Sequence, residues 1–299
     1  MTISGFTFVR DGVRLGYPFE ASLRSLQALC DEVVVNVGIS TDDTLARVRA
    51  LDDGRLVVFE SRWDESLRQG GRVLAVQTDL ALARCRGEWC VYLQADEVLH
   101  EDDSAVIRAA MASANARPDV DGLRFRYRHF YGSFHTVGIS RRWYRHEVRA
   151  FKSGRGTFSW RDAQGFRCHG DDAASEPRKL RVVDSGACIC HYGWVRPPQQ
   201  MLEKTRAFER LYRDDAAVEN ALVDRVDGAR YRYDVDEKVR PFAGTHPAVM
   251  RPWVERADWP FEPQRRWLRW GHLREDLLDL VEVASGRRFF EYRNYLKVG

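Results

Sequence analysis

The N-terminal third of the chain alternates short apolar runs with amphipathic stretches. Ser4 to Val9 reads as a β-strand ending in the charged turn Arg10-Asp11-Gly12. After Pro18, the spacing of Phe19, Leu23, Leu26 and Cys30 predicts a helix with one apolar face. Glu32 to Val37 is a nearly continuous valine run, the pattern of a strand buried on both faces. It stops at Gly38, and Ser40-Thr41-Asp42-Asp43 supplies cap residues for a helix through Leu51. Arg55 to Glu60 predicts another buried strand, and the polar stretch Trp63 to Gly71 a loop. Val73, Val76, Leu80 and Arg84 then repeat at helical spacing. Glu88 to Leu93 predicts a strand that breaks off at Gln94-Ala95-Asp96-Glu97. Beyond it, Glu101-Asp102-Asp103 opens a helix whose Val106, Ile107, Ala110 and Met111 face inward, with acids where they complement the dipole.

From Asp121 the pattern changes. Leu123-x-Phe125-x-Tyr127 alternates with arginines, Trp143 to Phe151 predicts a second short strand, and neither leads into a long helix. This half is therefore antiparallel or mixed. After Ile189-Cys190-His191-Tyr192-Gly193-Trp194, Pro197-Pro198 starts a helix with Met201, Phe208 and Leu211 as its apolar stripe. Asp214 to Arg240 and the run to Pro263 have weak periodicity, and a last helix spans Leu273 to Val283 with Leu273, Leu277, Leu280 and Val281 on one side. Strands separated by helices predict an α/β fold with a mostly parallel, covered sheet. The boundaries read as 1–120 for a Rossmann-like nucleotide-binding part, 121–212 for an acceptor-side part, and 213–299 for a C-terminal extension.

Charge narrows the function. A net +3 from 47 basic and 44 acidic residues is too balanced for an electrostatic nucleic-acid binder. Arginines cluster at Arg124, Arg126, Arg128, Arg141, Arg142, Arg145 and Arg149, which fits either a phosphate-binding surface or a solvated face of alternating strands. No apolar run approaches the roughly 20 residues that span a bilayer, and the N-terminus reads as a first strand rather than a signal segment. The six cysteines lack metal-binding C-x-x-C spacing, so buried reduced thiols of a cytoplasmic protein are the expectation.

In a parallel α/β sheet, ligands bind at the carboxyl ends of the strands, where strand order reverses. Three strand ends place polar residues directly after an apolar run: Arg10-Asp11, Asn36-Val37-Gly38 and Gln94-Ala95-Asp96-Glu97. The last is an acidic pair suited to a divalent cation bridging a diphosphate, or else a turn whose acids cap the next helix.

The order of these features resembles the family 2 glycosyltransferases of GT-A fold, which use nucleotide-diphosphate sugars. The acidic turn Asn36-Val37-Gly38-Ile39-Ser40-Thr41-Asp42-Asp43-Thr44, the motif Gln94-Ala95-Asp96 and the segment Cys190-His191-Tyr192-Gly193-Trp194 carry the resemblance. It implies Phe8, Arg10, Asp11, Asn36, Gln77, Gln94 and Ala95 around the nucleotide, and a divalent cation (Mn or Mg) held by Asp96, with His191 completing the site. Asn36 stands where the family usually has aspartate, Gln94 where it has the first metal-motif aspartate, and Gln77 where an arginine often sits. Arg196 is placed to hold a phosphate.

Inverting transfer also needs a general base, usually a carboxylate. Asp162, after Trp160-Arg161 and before a Gly-Phe turn, is the preferred candidate, ahead of Glu147 and Asp171-Asp172. The resemblance implies a carbohydrate or glycolipid acceptor and a place in surface polysaccharide synthesis. A lipid-linked acceptor would bring the protein to the inner face of the membrane. The Trp253-to-Trp270 region, with Arg265, Arg266 and Arg269, fits a packed helical region better than a membrane surface. A nucleotidyltransferase is a rival reading, although Arg10-Asp11-Gly12-Val13-Arg14 is thin for its phosphate loop. A catalytically silent sugar-nucleotide-binding subunit is the other rival, since Asn36 and Gln94 are the replacements it would show.

Overall fold

A computed structural model describes residues 1–170, 176–263 and 273–299. Asp171-Asp172 and the arginines Arg265, Arg266 and Arg269 lie outside the described residues.

The N-terminal part runs β1 (Ile3–Val9), α1 (Phe19–Leu29), β2 (Glu32–Gly38), α2 (Thr44–Arg49), β3 (Leu56–Ser61), α3 (Arg72–Leu82) and β4 (Trp89–Tyr92). These strands are parallel and lie side by side in the order β3-β2-β1-β4. The valine run of β2 explains its central place: Val33, Val35 and Val37 pack into one apolar cluster and Val34 into the cluster on the opposite face. Helices cover both faces, as a sheet buried on two sides requires.

After β4 the chain makes β5 (Glu97–Leu99), α4 (Ser104–Asn115), β6 (Gly122–Tyr131), β7 (Ser133–Gly138), β8 (His146–Lys152), β9 (Thr157–Trp160), β10 (Gly165–Cys168) and the long β11 (Arg178–Trp194). Strand β8 joins the parallel half antiparallel to β4; β6 follows antiparallel to β8, and β11 runs parallel to β6. The second half thus extends the same sheet in mixed sense. This is the fold expected from the sequence, a GT-A-type Rossmann-like layout whose second half is mixed.

The remainder is α5 (Pro198–Glu209), α6 (Asp215–Leu222), the short strands β12 (Val226–Asp227), β13 (Arg230–Tyr231) and β14 (Val239–Pro241), then α7 (Arg251–Glu255), α8 (Leu273–Ser285) and β15 (Tyr295–Lys297). Strand β15 pairs with β11, so the C-terminus is stitched back onto the main sheet. Among the described residues, no helix is long and apolar enough to cross a membrane.

Several local expectations are corrected. The stretch predicted as a loop winds into a 3-10 helix over Glu65–Gly71, with Asp64 accepting from the Ser66 amide at its start. Helix α3 buries Val73 as expected, but its inward face continues through Leu74, Gln77, Thr78 and Ala81, leaving Val76 exposed and Leu80 half-buried. In α4, Val106 is likewise exposed. Helix α8 is inverted. Asp276, Asp279 and Glu282 face the protein, where Lys238, Arg141 and Arg288 meet them, while Leu273, Leu277, Leu280 and Val281 are exposed. Ion pairs rather than apolar burial dock this helix.

Candidate active site

The strand order reverses between β1 and β4: β2 and β3 lie on one side of β1, and β4 on the other. A crevice must open at the carboxyl ends of these two strands, because the loops leaving them diverge. There the structure has a cleft of about 710 Å³. Phe8, Arg10 and Asp11 line it from the end of β1, and Gln94, Ala95 and Asp96 from the end of β4. Asp162 and His191 also line it, so the structure brings together most residues singled out from the sequence.

Asn36 and Gln77 are not among the lining residues. Both are buried, and the Asn36 amide donates to the Gln77 side chain at 2.8 Å while Ser61 Oγ donates to Asn36 Oδ1 at 2.6 Å. Their polar groups satisfy each other between β2, β3 and α3. Asp11 reaches the cleft, but its carboxylate is engaged by the Thr41 amide at 2.8 Å and by Arg14 at 2.8 Å. It fastens the loop after β1 to the loop after β2.

The acidic motif divides its labour. Glu97 is fully buried and forms a two-pronged ion pair with Arg149 at 2.8 and 2.9 Å. Tyr127 Oη donates to Glu97 at 2.8 Å, and Glu97 also accepts from the Gln94 amide at 3.0 Å. Glu97 therefore locks the turn, and Asp96 is left to face the cleft. Pairing of β5 with β11 sets Glu97 opposite His191, and the Tyr192 amide donates to the Asp96 carbonyl at 2.8 Å. Two motifs about a hundred residues apart meet through this one antiparallel register.

The proton positions on the histidines follow from their partners. His129 Nε2 donates to the Tyr144 carbonyl at 2.7 Å, so the neutral ring presents Nδ1 as an acceptor. His191 Nδ1 lies 2.8 Å from that atom and must be the donor, which leaves His191 Nε2 a bare lone pair. Burial holds both rings below their ordinary pKa, His129 well below it, and for His191 this outweighs the nearby Asp96 and Glu97. The lone pair of His191 Nε2 sits 3.7 Å from Asp96 Oδ1, so two acceptors face each other. A Cβ on Gly193 would lie 2.5 Å from His191 Nε2 and 3.0 Å from Asp96 Oδ2. The glycine keeps open the space on which both groups converge.

Two cations stand near this pair, one behind the cleft wall and one lining the cleft. Arg196 is fully buried with Nη2 3.8 Å from Asp96 Oδ2, and its guanidinium stands 4.7 Å from the centre of the Tyr17 ring. None of its three guanidinium nitrogens has a hydrogen-bond acceptor among the described residues. Its backbone is held by Tyr233, whose hydroxyl donates to the Arg196 carbonyl at 2.7 Å. Lys204 of α5 lines the cleft with its ammonium over the rings of Trp194 and Phe208, and burial pushes its pKa down to about 8.

Aromatic rings also line the cleft. Phe8 and Trp63 meet edge to face, and the Arg10 guanidinium lies 5.3 Å from the centre of the Trp63 ring. Trp63 Nε1 is buried with no acceptor among the described residues. Asp162 occupies a tight turn between β9 and β10 whose flanking residues, Arg161 and Ala163, have φ of 59° and 63°. Its Oδ2 accepts from Tyr212 at 3.0 Å. Gly71, at the start of α3, makes room for this pair: a Cβ there would lie 2.8 Å from the Tyr212 hydroxyl and 2.9 Å from Asp162 Cβ.

The other base candidate among the described residues, Glu147, is buried, does not line the cleft and accepts from Asn294 at 2.9 Å. Arginines of the cluster are mostly taken by protein acids: Arg124 by Asp184, Arg141 and Arg145 by Glu282, Arg142 by Glu237 and Arg149 by Glu97. Trp63 and Lys204 were missed from the sequence. A signal existed for Lys204, three residues after the buried Met201; of the expected stripe Met201, Phe208 and Leu211, Phe208 is exposed. Trp63 had none beyond being an aromatic in a polar stretch.

No protein-family model matches the chain, and no curated protein does. Among solved structures it is similar to residues 1–349 of TarS from S. aureus, at 13% identity and a TM-score of 0.38, over 75% of this chain and 70% of that one. It is similar to the mannosyltransferase PcManGT from Pyrobaculum calidifontis in complex with GDP-Man and Mn2+, at 19% identity and a TM-score of 0.35, over 50% of this chain and 44% of that one. A third likeness is to 4-diphosphocytidyl-2C-methyl-D-erythritol synthase from Anaerococcus prevotii DSM 20548, at 15% identity and a TM-score of 0.30, over 51% of this chain and 70% of that one.

Proposed function

We propose that this chain is a glycosyltransferase that moves a sugar from a nucleotide-diphosphate donor to an acceptor hydroxyl with inversion. The observation that carries the reading is the pair of buried cations near Asp96: Lys204, which lines the switch-point cleft, and Arg196, which lies 3.8 Å from the Asp96 carboxylate. A buried guanidinium without hydrogen-bond acceptors is costly, and an ammonium depressed by burial is costly too; both are relieved by an anion. Arg196 and Lys204 stand beside Asp96, where the diphosphate of such a donor would lie, with the nucleoside toward Phe8, Arg10 and Trp63.

Asp96 and His191 are the residues that would hold a divalent cation. Their facing acceptors and the space kept by Gly193 fit one, although no group of three or more His, Cys, Asp or Glu side chains is arranged for a metal among the described residues. Diphosphate oxygens and water would complete the coordination, as at sites where protein supplies few ligands. When bound, the cation supplies charge neutralisation to the departing diphosphate. Gln94, in place of an acid, removes one charge from the site, and Lys204 and Arg196 supply positive charge that does not depend on metal.

Asp162 is the proposed general base. Tyr212 orients one carboxylate oxygen, and the other makes no hydrogen bond among the described residues. The acceptor proton passes to that oxygen as the acceptor oxygen bonds to the anomeric carbon from the face opposite the diphosphate. The bond from the anomeric carbon to the diphosphate breaks, and the nucleoside diphosphate leaves. Surface polysaccharide or glycolipid synthesis is the role such a transfer would serve.

The test is a thermal-shift panel of UDP, GDP, dTDP and CDP and their sugars, with and without manganese. At least one diphosphate should raise the melting temperature more than its monophosphate. Equal shifts for di- and monophosphates, or none, would remove the reading.

A further inference from the structure

Helix α8 sets its apolar face outward. Leu273, Leu277, Leu280 and Val281 follow one another at i, i+4, i+7 and i+8, and all four are exposed, Leu277 by 59% and Leu280 by 57%. We propose that this face docks on a bilayer rich in anionic lipid, with the helix lying flat and its apolar stripe among the acyl chains. The proposal is independent of the donor reading, because it uses no residue that lines the cleft.

Ion pairs fix this orientation. Lys238 Nζ stands 2.7 Å from Asp276 and 2.7 Å from Asp279, and Arg141 and Arg145 both pair with Glu282. Rotating the helix to bury its leucines would break every one of these pairs and carry the buried Asp276 away from its partner. The outward stripe is thus a fixed property of the folded chain. Single exposed leucines are ordinary on a protein surface, but a continuous apolar stripe along one helix marks a place where something binds.

Charge selects the occupant. Every acid of the helix, Glu275, Asp276, Asp279 and Glu282, is buried or half-buried, whereas Arg274 is exposed and, seven residues before Val281, shares the outward face. Arg287, just past the helix, is exposed too, and so is Arg145 beside Glu282. A second copy packed on this face would bring cations against cations, with no outward acid on the helix to meet them. Anionic headgroups do meet them, and each basic group near such a surface adds attraction that salt weakens. Beyond Gly286 the chain continues into the exposed Phe289, Phe290 and Tyr292, and aromatic rings favour the level of the headgroups. The 13 residues of α8 make a helix about 20 Å long, too short to cross a hydrocarbon core of about 30 Å but long enough to lie in its interface.

Co-sedimentation of the full chain with vesicles tests this, using phosphatidylcholine alone and phosphatidylcholine mixed equally with phosphatidylglycerol. The chain should bind the mixed vesicles about tenfold more tightly than the neutral ones, and added salt should weaken that preference. The triple variant Leu277→Gln/Leu280→Gln/Val281→Gln should lose about tenfold or more in affinity for the mixed vesicles. Arg274→Gln/Arg287→Gln should lose about 5- to 30-fold. All five side chains are exposed, so both variants should keep the circular dichroism and melting temperature of the wild type. No binding to the mixed vesicles, or equal binding by the wild type and either variant, would overturn the proposal. Light scattering that finds a dimer for the wild type and a monomer for the triple variant would also overturn it, and would make the face a contact between copies of the chain.

Discussion

Arg196 places its guanidinium 3.8 Å from the Asp96 carboxylate, fully buried and without a hydrogen bond to any described residue. On the proposed function this charge binds the donor's diphosphate and costs the free protein stability. Arg196→Met should therefore keep or raise the melting temperature while weakening UDP binding by about tenfold, and weakening UMP less. Calorimetric titration with both nucleotides and a thermal scan check this. A lower melting temperature with unchanged UDP affinity would make Arg196 a structural residue.

Gly193 lies where a side chain would enter the space between His191 Nε2 and Asp96. Gly193→Ala should weaken manganese binding in the presence of UDP by about 10- to 100-fold, the scale on which changes around a metal site act. Manganese dependence of the thermal shift reads the effect. UDP binding without metal should change little.

Glu97 belongs to the motif in sequence but not to the ligand-facing chemistry. Its removal strands Arg149 in the interior, so Glu97→Ala should cost about 3–5 kcal/mol, measured by urea unfolding. A loss below about 1 kcal/mol would show that water reaches Arg149.

Burial pushes His146 and His246 down to about 4 and holds His129 well below its ordinary value. An unfolded chain protonates these rings near pH 6.5, so between about pH 6.5 and 4 it binds more protons than the folded one. Stability should fall as pH drops through that window. Asp79 acts with the opposite sign: burial pushes it up to about 6 despite the hydrogen bond it accepts from the Ser159 amide. Its ionised form costs stability above that pH and is relieved below it. Asp79→Asn should then raise stability at pH 7 by about 1 kcal/mol after allowance for solvent screening, and steepen the acid loss. Melting curves of both proteins from pH 7 to 4.5 test both signs.

Much of the fold was legible because strand and helix periods dominate the N-terminal third. The valine run of β2 and the acidic stop after β4 mark strand ends, and strand ends locate the cleft. Helix α8 misled because apolar spacing says which residues share a face and not which way that face points. Here Lys238, Arg141 and Arg288 drew the acidic face inward. Asn36 and Gln77 misled for a related reason: a polar residue at a strand end also serves as a partner for another buried amide. The pairing of His191 with Asp96 depends on the β5–β11 register, a long-range contact that no local pattern encodes.

The central claim is that the cleft transfers sugar, and Asp162 is the group on which transfer and binding part company. The measurement is release of nucleoside diphosphate from nucleotide sugars, with manganese and saccharide acceptors, by the wild type and Asp162→Asn. The wild type should turn over at least one donor, and the variant should lose about 100- to 10,000-fold in kcat while the same donor still raises its melting temperature. Donors that bind and stabilise the wild type without any turnover would contradict the account and leave a sugar-nucleotide-binding subunit in its place.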